Sequence, residues 1–496
     1  MLLRGRKNKD LKSGILLALS SLPSPYGIGD LGEEAYRFID FLKKSRQSYW
    51  QLLPLCPVGK GNSPYSSYGS FAGEILYISI DLLVNDGYLK KEDISEKSFQ
   101  KNTDYDLVRE FKLPLLKIAA ENFNTRNEEF EKFKNKNGYW LNEYSLFMAI
   151  SEYEGTKDFS HWRDELKYRQ KYAITDFKIN HKKEIEFFEI TQFFFYEQFK
   201  KLKHYSLKNG IELIGDIPFY VSFCSADVWS NPLCFRLGSD LTPVLVAGVP
   251  PDVFSKDGQL WGNPIYDWEY HKKTSYNWWK NRLLHNAMLY DVIRIDHFRA
   301  FNDYYTIPFG AETAKAGKWE KGVGMHFWGR IKPLLNGTQI IAEDLGGESE
   351  EVKQLIRDTG FPNMSVLQFA FDSDKNDPFL PRNMLKNSVC YTGTHDNDTT
   401  LGWYKKISNC ERIMFEKAVP KNTDSPTDNL ILFGMKSRAK TVIVPMQDYL
   451  RLDSDCRMNM PGKPYGNWEW RFCHEDLTDS LAKRIKNLSK NRNKKI

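Results

Sequence analysis

Residues 291–299 read DVIRIDHFR, a strand-like run of Val and Ile that also carries Arg294 and Asp296 two positions apart. Successive side chains of a β-strand point to opposite faces, so Val292, Arg294 and Asp296 share one face and Ile293, Ile295 and His297 the other. A strand covered on both sides should read as a continuous apolar run. A salt-bridge-ready pair at its C-terminal end is therefore a costly structural ion pair or a working site.

Six further runs have the same build, β-rich and ending in polar or charged residues: 49–55, 211–219, 339–346, 364–372, 388–396 and 441–449. Helical patterns separate them. In 183–203, Ile185, Phe188, Phe195 and Phe199 fall near helical spacing before an Asn-Gly turn leads to the run at 211. Alternating strand and helix implies parallel strands joined by crossovers. No G-x-G-x-x-G follows a first strand, and polar residues tip at least five strand ends, which favours a closed barrel with its site at those ends. The expected fold is α/β, a (β/α)8 TIM-type barrel. A plain barrel takes ~250 residues. The surplus in this chain of 496 residues is assigned to insertions at about 84–180 and 222–285 within one catalytic domain, residues 1–475. The last stretch, 476–496, reads as a helix end and a basic, solvated tail.

Composition narrows the function. The chain is 41% hydrophobic with a formal charge of +6, enough for a large core and too diffuse a charge for a nucleic-acid face. Seven irregularly spaced cysteines suggest neither a disulfide framework nor zinc. No signal-peptide h-region and no run of ~18 apolar residues occurs, so no membrane role is expected. A cytoplasmic protein is the simplest reading, with a plastid open if a transit peptide has been removed.

Three carboxylates end three strands: Asp296, Glu343 in IIAEDLG and Asp396 in TGTHDND, at barrel positions n, n+1 and n+3. Two or three carboxylates around an aromatic cleft suit glycoside cleavage. A retaining mechanism needs an ionised nucleophile and a protonated acid ~5–5.5 Å apart. Arg294 would hold Asp296 ionised, while Glu343, among carboxylates with no base beside it, would retain a proton. Asp396 would stabilise developing charge on the sugar. A lone Asp at a strand end is ordinarily a cap, and Asp344 fits that description. His297 and His395 are packed histidines or sugar ligands; no third residue gives them metal-site spacing.

These strings resemble a known family. DVIRIDHFRAF, AEDLG and TGTHDNDTTLGW are similar to the nucleophile, acid/base and stabiliser motifs of the 4-α-glucanotransferases called amylomaltase or disproportionating enzyme, in the α-amylase clan. LSSLPSPYGIGDLG, the 51–73 segment, GDIPFYV, AGVPPDVFSKDGQLWGNPIYDW and RMNMPGKPYGNWEWR extend the likeness over nearly the whole chain. The resemblance implies a retaining double displacement with Asp296 as nucleophile, Glu343 as acid/base and Asp396 as stabiliser. It implies sugar binding by Tyr65, Asp216, Arg294, His297, Asp344, His395 and Asn467. Asp252, Gln259 and Trp261 would belong to a loop covering the cleft, and the 246–264 segment, punctuated by Gly and Pro, suits a lid that excludes water. Donor and acceptor would be α-1,4-glucan and glucose or a malto-oligosaccharide, with no cofactor or metal and a monomer or homodimer as the assembly. A hydrolase of the same clan is the alternative, disfavoured because too little chain follows the barrel for a C-terminal β-sandwich. A silent glucan-binding protein is a second. Where the family usually continues FAG with Asn-Pro, this chain has Glu74-Ile75.

Overall fold

Short runs of Val, Ile and Leu flanked by polar residues cannot bury both faces alone, and here eight of them close on one another. The computed structural model describes residues 11–251, 255–346, 349–371 and 376–493. In chain order the strands are β1 (Lys12–Leu16), β2 (Tyr49–Gln51), β3 (Glu212–Ile217), β4 (Leu245–Val249), β5 (Gln259–Pro264), β6 (Val292–Ile295), β7 (Asp303–Pro308), β8 (Lys318–Lys321), β9 (Gln339–Ala342), β10 (Asn363–Val366), β11 (Ser388–Tyr391) and β12 (Thr441–Pro445). β1, β2, β3, β6, β9, β10, β11 and β12 form a closed, wholly parallel barrel in that order. The carboxylates therefore follow its fourth, fifth and seventh strands.

The seven runs expected as strands are seven of the eight barrel strands. The eighth, β1 (KSGIL), is short and carries Gly14, which weakens its signature. Its glycine is required by contact: a Cβ there would lie 2.5 Å from Tyr49 Cβ and 2.7 Å from the Tyr49 carbonyl oxygen. The helix expected near 183–203 spans Lys182–Lys208 and buries Phe188, Phe195 and Phe199.

The insertions differ in extent from expectation. Four helices, Tyr105–Glu121, Glu128–Glu154, Asp164–Lys167 and Lys171–Asn180, fill the first, but the excursion from the barrel starts directly after β2 and includes the loop bearing Tyr65. The second supplies only half of a unit. β4 and β5 join β7 and β8, which lie beyond residue 285, in an antiparallel sheet ordered β5-β4-β7-β8. The helix Asn277–Leu289, partly inside the expected insertion, is the crossover into β6. The expected lid loop is thus a β-hairpin made of β4 and β5; Asp252 lies outside the described residues.

The C-terminal stretch also corrects the expectation of a solvated tail. Charge sits on one face of the helix Asp479–Ser489, while Leu481, Ala482, Ile485 and Leu488 are buried. Arg492, 2% exposed, donates from Nη1 to the Ser437 carbonyl at 3.0 Å and from Nε to that of Lys12 at 3.2 Å, tying this end to β1. Composition hid the amphipathic face because the seven Lys and Arg of residues 476–496 outnumber the four apolar residues that form it.

Candidate active site

The parallel register sets Asp216 of β3 beside Arg294 of β6. Both side chains are sealed, 0% and 3% exposed, so each needs a partner. Arg294 Nη1 lies 2.7 Å from both Asp216 oxygens, and its Nη2 donates to Asp296 Oδ1 at 2.9 Å. The Tyr65 hydroxyl donates to Asp216 Oδ2 at 2.8 Å. A hydrogen-bonded chain of Tyr65, Asp216, Arg294 and Asp296 thus joins two groove residues through a buried pair in the barrel interior. Arg294, expected to serve Asp296 alone, is shared between two carboxylates, because β3 supplies a second acid that a single strand's sequence does not reveal.

Two residues beyond β6 stands His297, whose φ of +50° is left-handed and turns the chain at the mouth. The turn exposes Asp296 to 30% and presents the His297 backbone N–H to Glu343 Oε2 at 2.7 Å. The Leu345 N–H donates to Glu343 Oε1, also at 2.7 Å. Burial, and then the charge of Asp296, push the Glu343 carboxyl up to about 7, against the opposing pull of Arg294 and these two donors. Near neutral pH it is poised between acid and base, while Asp296 keeps a guanidinium partner.

Asp396 stands across the cleft. Burial alone would raise its pKa, but the charge and hydrogen bond of His395, the Asn459 amide and Arg294 together hold it well below the usual carboxylate range. His395 Nε2 is 3.3 Å from Asp396 Oδ2, and Asn459 Nδ2 donates to Oδ1 at 2.6 Å. Burial works against a charge on His395, yet Asp396 lifts its pKa above the ordinary value. His297 is the reverse: burial pushes it down to about 4, so it is a neutral imidazole. Among the described residues its buried Nε2 has no hydrogen-bond partner.

Asp296 and Asp396 line an open groove of about 590 Å³, and Glu343 sits behind His297, bonded to its backbone N–H. Tyr65, Gln259, Trp261, His297, His395 and Asn467 also line it. The hairpin sets the Trp261 ring edge-on to His297 at 4.9 Å, with its Nε1 donating to Gln259 Oε1 at 3.0 Å. Two residues expected as sugar ligands also bond to the scaffold. The Asp344 carboxylate turns from the groove to accept the Met364 N–H of β10 at 3.1 Å, and burial raises it to about 6. Asn467, on the groove wall, also braces the 460–467 loop, accepting from Met460 N–H at 2.9 Å and donating to the Lys463 carbonyl at 2.8 Å. Alternation on β9 explains the first. Tyr65 is stacked on His395 (5.2 Å, 17°), which leaves less of its ring for a sugar than expected.

Sequence reasoning missed Asn459, Tyr220 and Trp468, all on the groove wall. Asn459 and Trp468 lie in the quoted RMNMPGKPYGNWEWR string, and Tyr220 in GDIPFYV, but no spacing rule singles them out. Tyr220 brings a buried hydroxyl without a hydrogen-bond partner among the described residues. Glu74, the departure from the expected Asn-Pro, is an internal brace: its carboxylate accepts Val58 N–H at 2.7 Å and Leu76 N–H at 2.9 Å.

A family model described as 4-alpha-glucanotransferase matches residues 17–476. The chain is 43% identical over 481 residues to the 4-alpha-glucanotransferase of Clostridium butyricum, covering 95% of this chain and 98% of the relative. It is 44% identical over 470 residues to that of Aquifex aeolicus, covering 94% and 96%. Among solved structures, amylomaltase from Streptococcus agalactiae in complex with acarbose superposes with a TM-score of 0.94 at 37% identity, covering 98% of this chain and all of that one. With a likeness that spans the barrel, the hairpin sheet and the groove together, the chain belongs to the 4-alpha-glucanotransferase family.

Proposed function

We propose that the chain moves α-1,4-glucan segments between sugars by a retaining double displacement at the groove, with Asp296, Glu343 and Asp396 as its catalytic carboxylates. The observation that carries this reading is the division of labour between two neighbours: Asp296 bonded to Arg294 at 2.9 Å, and Glu343 raised to about 7 beside it.

Asp296 attacks the anomeric carbon as the bond to the departing 4-oxygen breaks, and Glu343 gives its proton to that oxygen. A glycosyl ester on Asp296 remains. Glu343, now a carboxylate, takes the proton of an acceptor sugar's 4-hydroxyl as that oxygen attacks the same carbon, and Asp296 leaves as a free carboxylate. Asp396, held anionic by His395 and Asn459, stabilises the oxocarbenium-like charge in both steps. His297 Nε2 offers a neutral hydrogen-bonding atom to a sugar hydroxyl, and Trp261 an apolar face. The hairpin overhanging His297 favours a sugar hydroxyl over water by shielding the ester.

The test is to incubate the protein with maltotriose and follow product lengths and total reducing ends. Longer and shorter oligosaccharides plus glucose at constant reducing ends are expected. Rising reducing ends without longer products mean hydrolysis and overturn the transfer reading. Asp296→Ala is expected to abolish the ladder while the far-UV spectrum is unchanged.

A further inference from the structure

A second cavity opens on the flank of the molecule, behind the loop whose other end faces the groove. Ser63, Tyr65 and Ser66 line the catalytic groove, whereas Gly69 to Ala72 line the flank cavity. Its other walls are the inserted helix Glu128–Glu154 and the crossover helix Asn277–Leu289. Its volume of about 190 Å³ lies below the ~300–1,000 Å³ of drug-sized sites and limits an occupant to about one sugar ring.

The lining combines flat apolar surface with hydrogen-bonding groups. Phe71 and Trp140 are nearly parallel (6.4 Å, 12°), and Tyr139 meets Phe71 edge-on at 5.7 Å; Tyr144 and Trp278 complete an aromatic wall. Asn277 and Asn281 present amides that make no hydrogen bond to the described residues. Glu143 and Asp227 supply carboxylate oxygens, and Ser230 a hydroxyl. No Lys or Arg lines the cavity, so it offers nothing to a phosphate. Nor is it an ammonium cage: Glu143 is paired with Arg169 at 2.7 Å, and the Asp227 carboxylate, 4% exposed, already accepts the Ser70 N–H at 2.7 Å. Aromatic faces with amide and carboxylate groups and little uncompensated charge match the alternation of C–H faces and hydroxyl edges in a pyranose.

We propose that this flank cavity binds a pyranose unit of a neutral glucan, separately from the catalytic groove. The choice of glucan as the sugar rests on the transferase reading; the cavity's preference for a neutral polyol does not. A glucan seated there would be held near the groove through the shared 63–72 loop.

The test is calorimetric titration of maltotriose into the full-length Asp296→Asn protein, in which turnover is removed. Two sites are expected, and Asn277→Ala with Asn281→Leu should weaken one about tenfold, the order of a lost hydrogen bond, while the other keeps its affinity. In the otherwise native protein the same pair should leave transfer from maltotriose unchanged. Asn277 is exposed, so Asn277→Ala alone keeps the test readable if the pair misfolds. A single site, two sites that both ignore these substitutions, or saturation by spermidine in place of maltotriose overturns the proposal. Loss of the oligosaccharide ladder in the native protein with flank binding intact would instead overturn only the transferase reading.

Discussion

Glu343 is costly where it stands. Its carboxyl titrates near 4.5 when free and at about 7 in the fold. Below pH 4.5 both folded and unfolded chains hold the proton. Between the two values only the folded chain retains it, so stability falls as pH rises, and above 7 the deficit is constant at about 3 kcal/mol. Glu343→Gln is expected to abolish transfer yet resist urea better than the native chain at pH 8, with the difference vanishing near pH 4. By the same protonation the native rate should fall as pH rises past about 7. Arg294 is the opposite case. Arg294→Met leaves Asp216 sealed and unpaired and should cost about 3–5 kcal/mol in urea unfolding. Adding Asp216→Leu should recover most of that stability and none of the activity, which separates folding from the aiming of Asp296.

At the scale of elements, the hairpin and the last helix divide function from stability. Trp261 is 38% exposed and touches His297 by its ring edge. Trp261→Ala should therefore change the melting temperature by less than about 2 °C while raising the share of hydrolysis over transfer, read as reducing ends released per ladder product. Ile485, 0% exposed in the helix Asp479–Ser489, carries no chemistry. Ile485→Ala should cost about 2–5 kcal/mol in urea unfolding and leave product ratios unchanged. The hairpin and the helix are also where sequence and structure part company. Periodicity marked the long helix Lys182–Lys208 well, since its apolar positions repeat over many turns. It could not mark β4, β5, β7 and β8 as one sheet, because strand pairing joins segments that are distant in the chain. A basic tail and a basic amphipathic helix have the same composition; only packing against the helices Glu33–Lys44 and Pro426–Met435 tells them apart.

For the whole molecule, the proposed chemistry rests on carboxylates placed by a barrel. Because the proposed double displacement uses carboxylates alone for attack and proton transfer, dialysis against a chelator should leave transfer from maltotriose unchanged. The sequence by itself determined the alternation of strand and helix, the carboxylates at strand ends and their order, because these depend on side-chain period and local chain chemistry. It also determined the family, through long strings such as DVIRIDHFRAF. Only the tertiary structure decided that Arg294 is shared with Asp216, that Glu343 takes two backbone N–H groups, and that Asp344 and Asn467 bond to the scaffold. Those facts depend on register, burial and the meeting of residues up to hundreds of positions apart. Burial also sets the protonation of Glu343 and His297, since a charge's cost is fixed by what surrounds it.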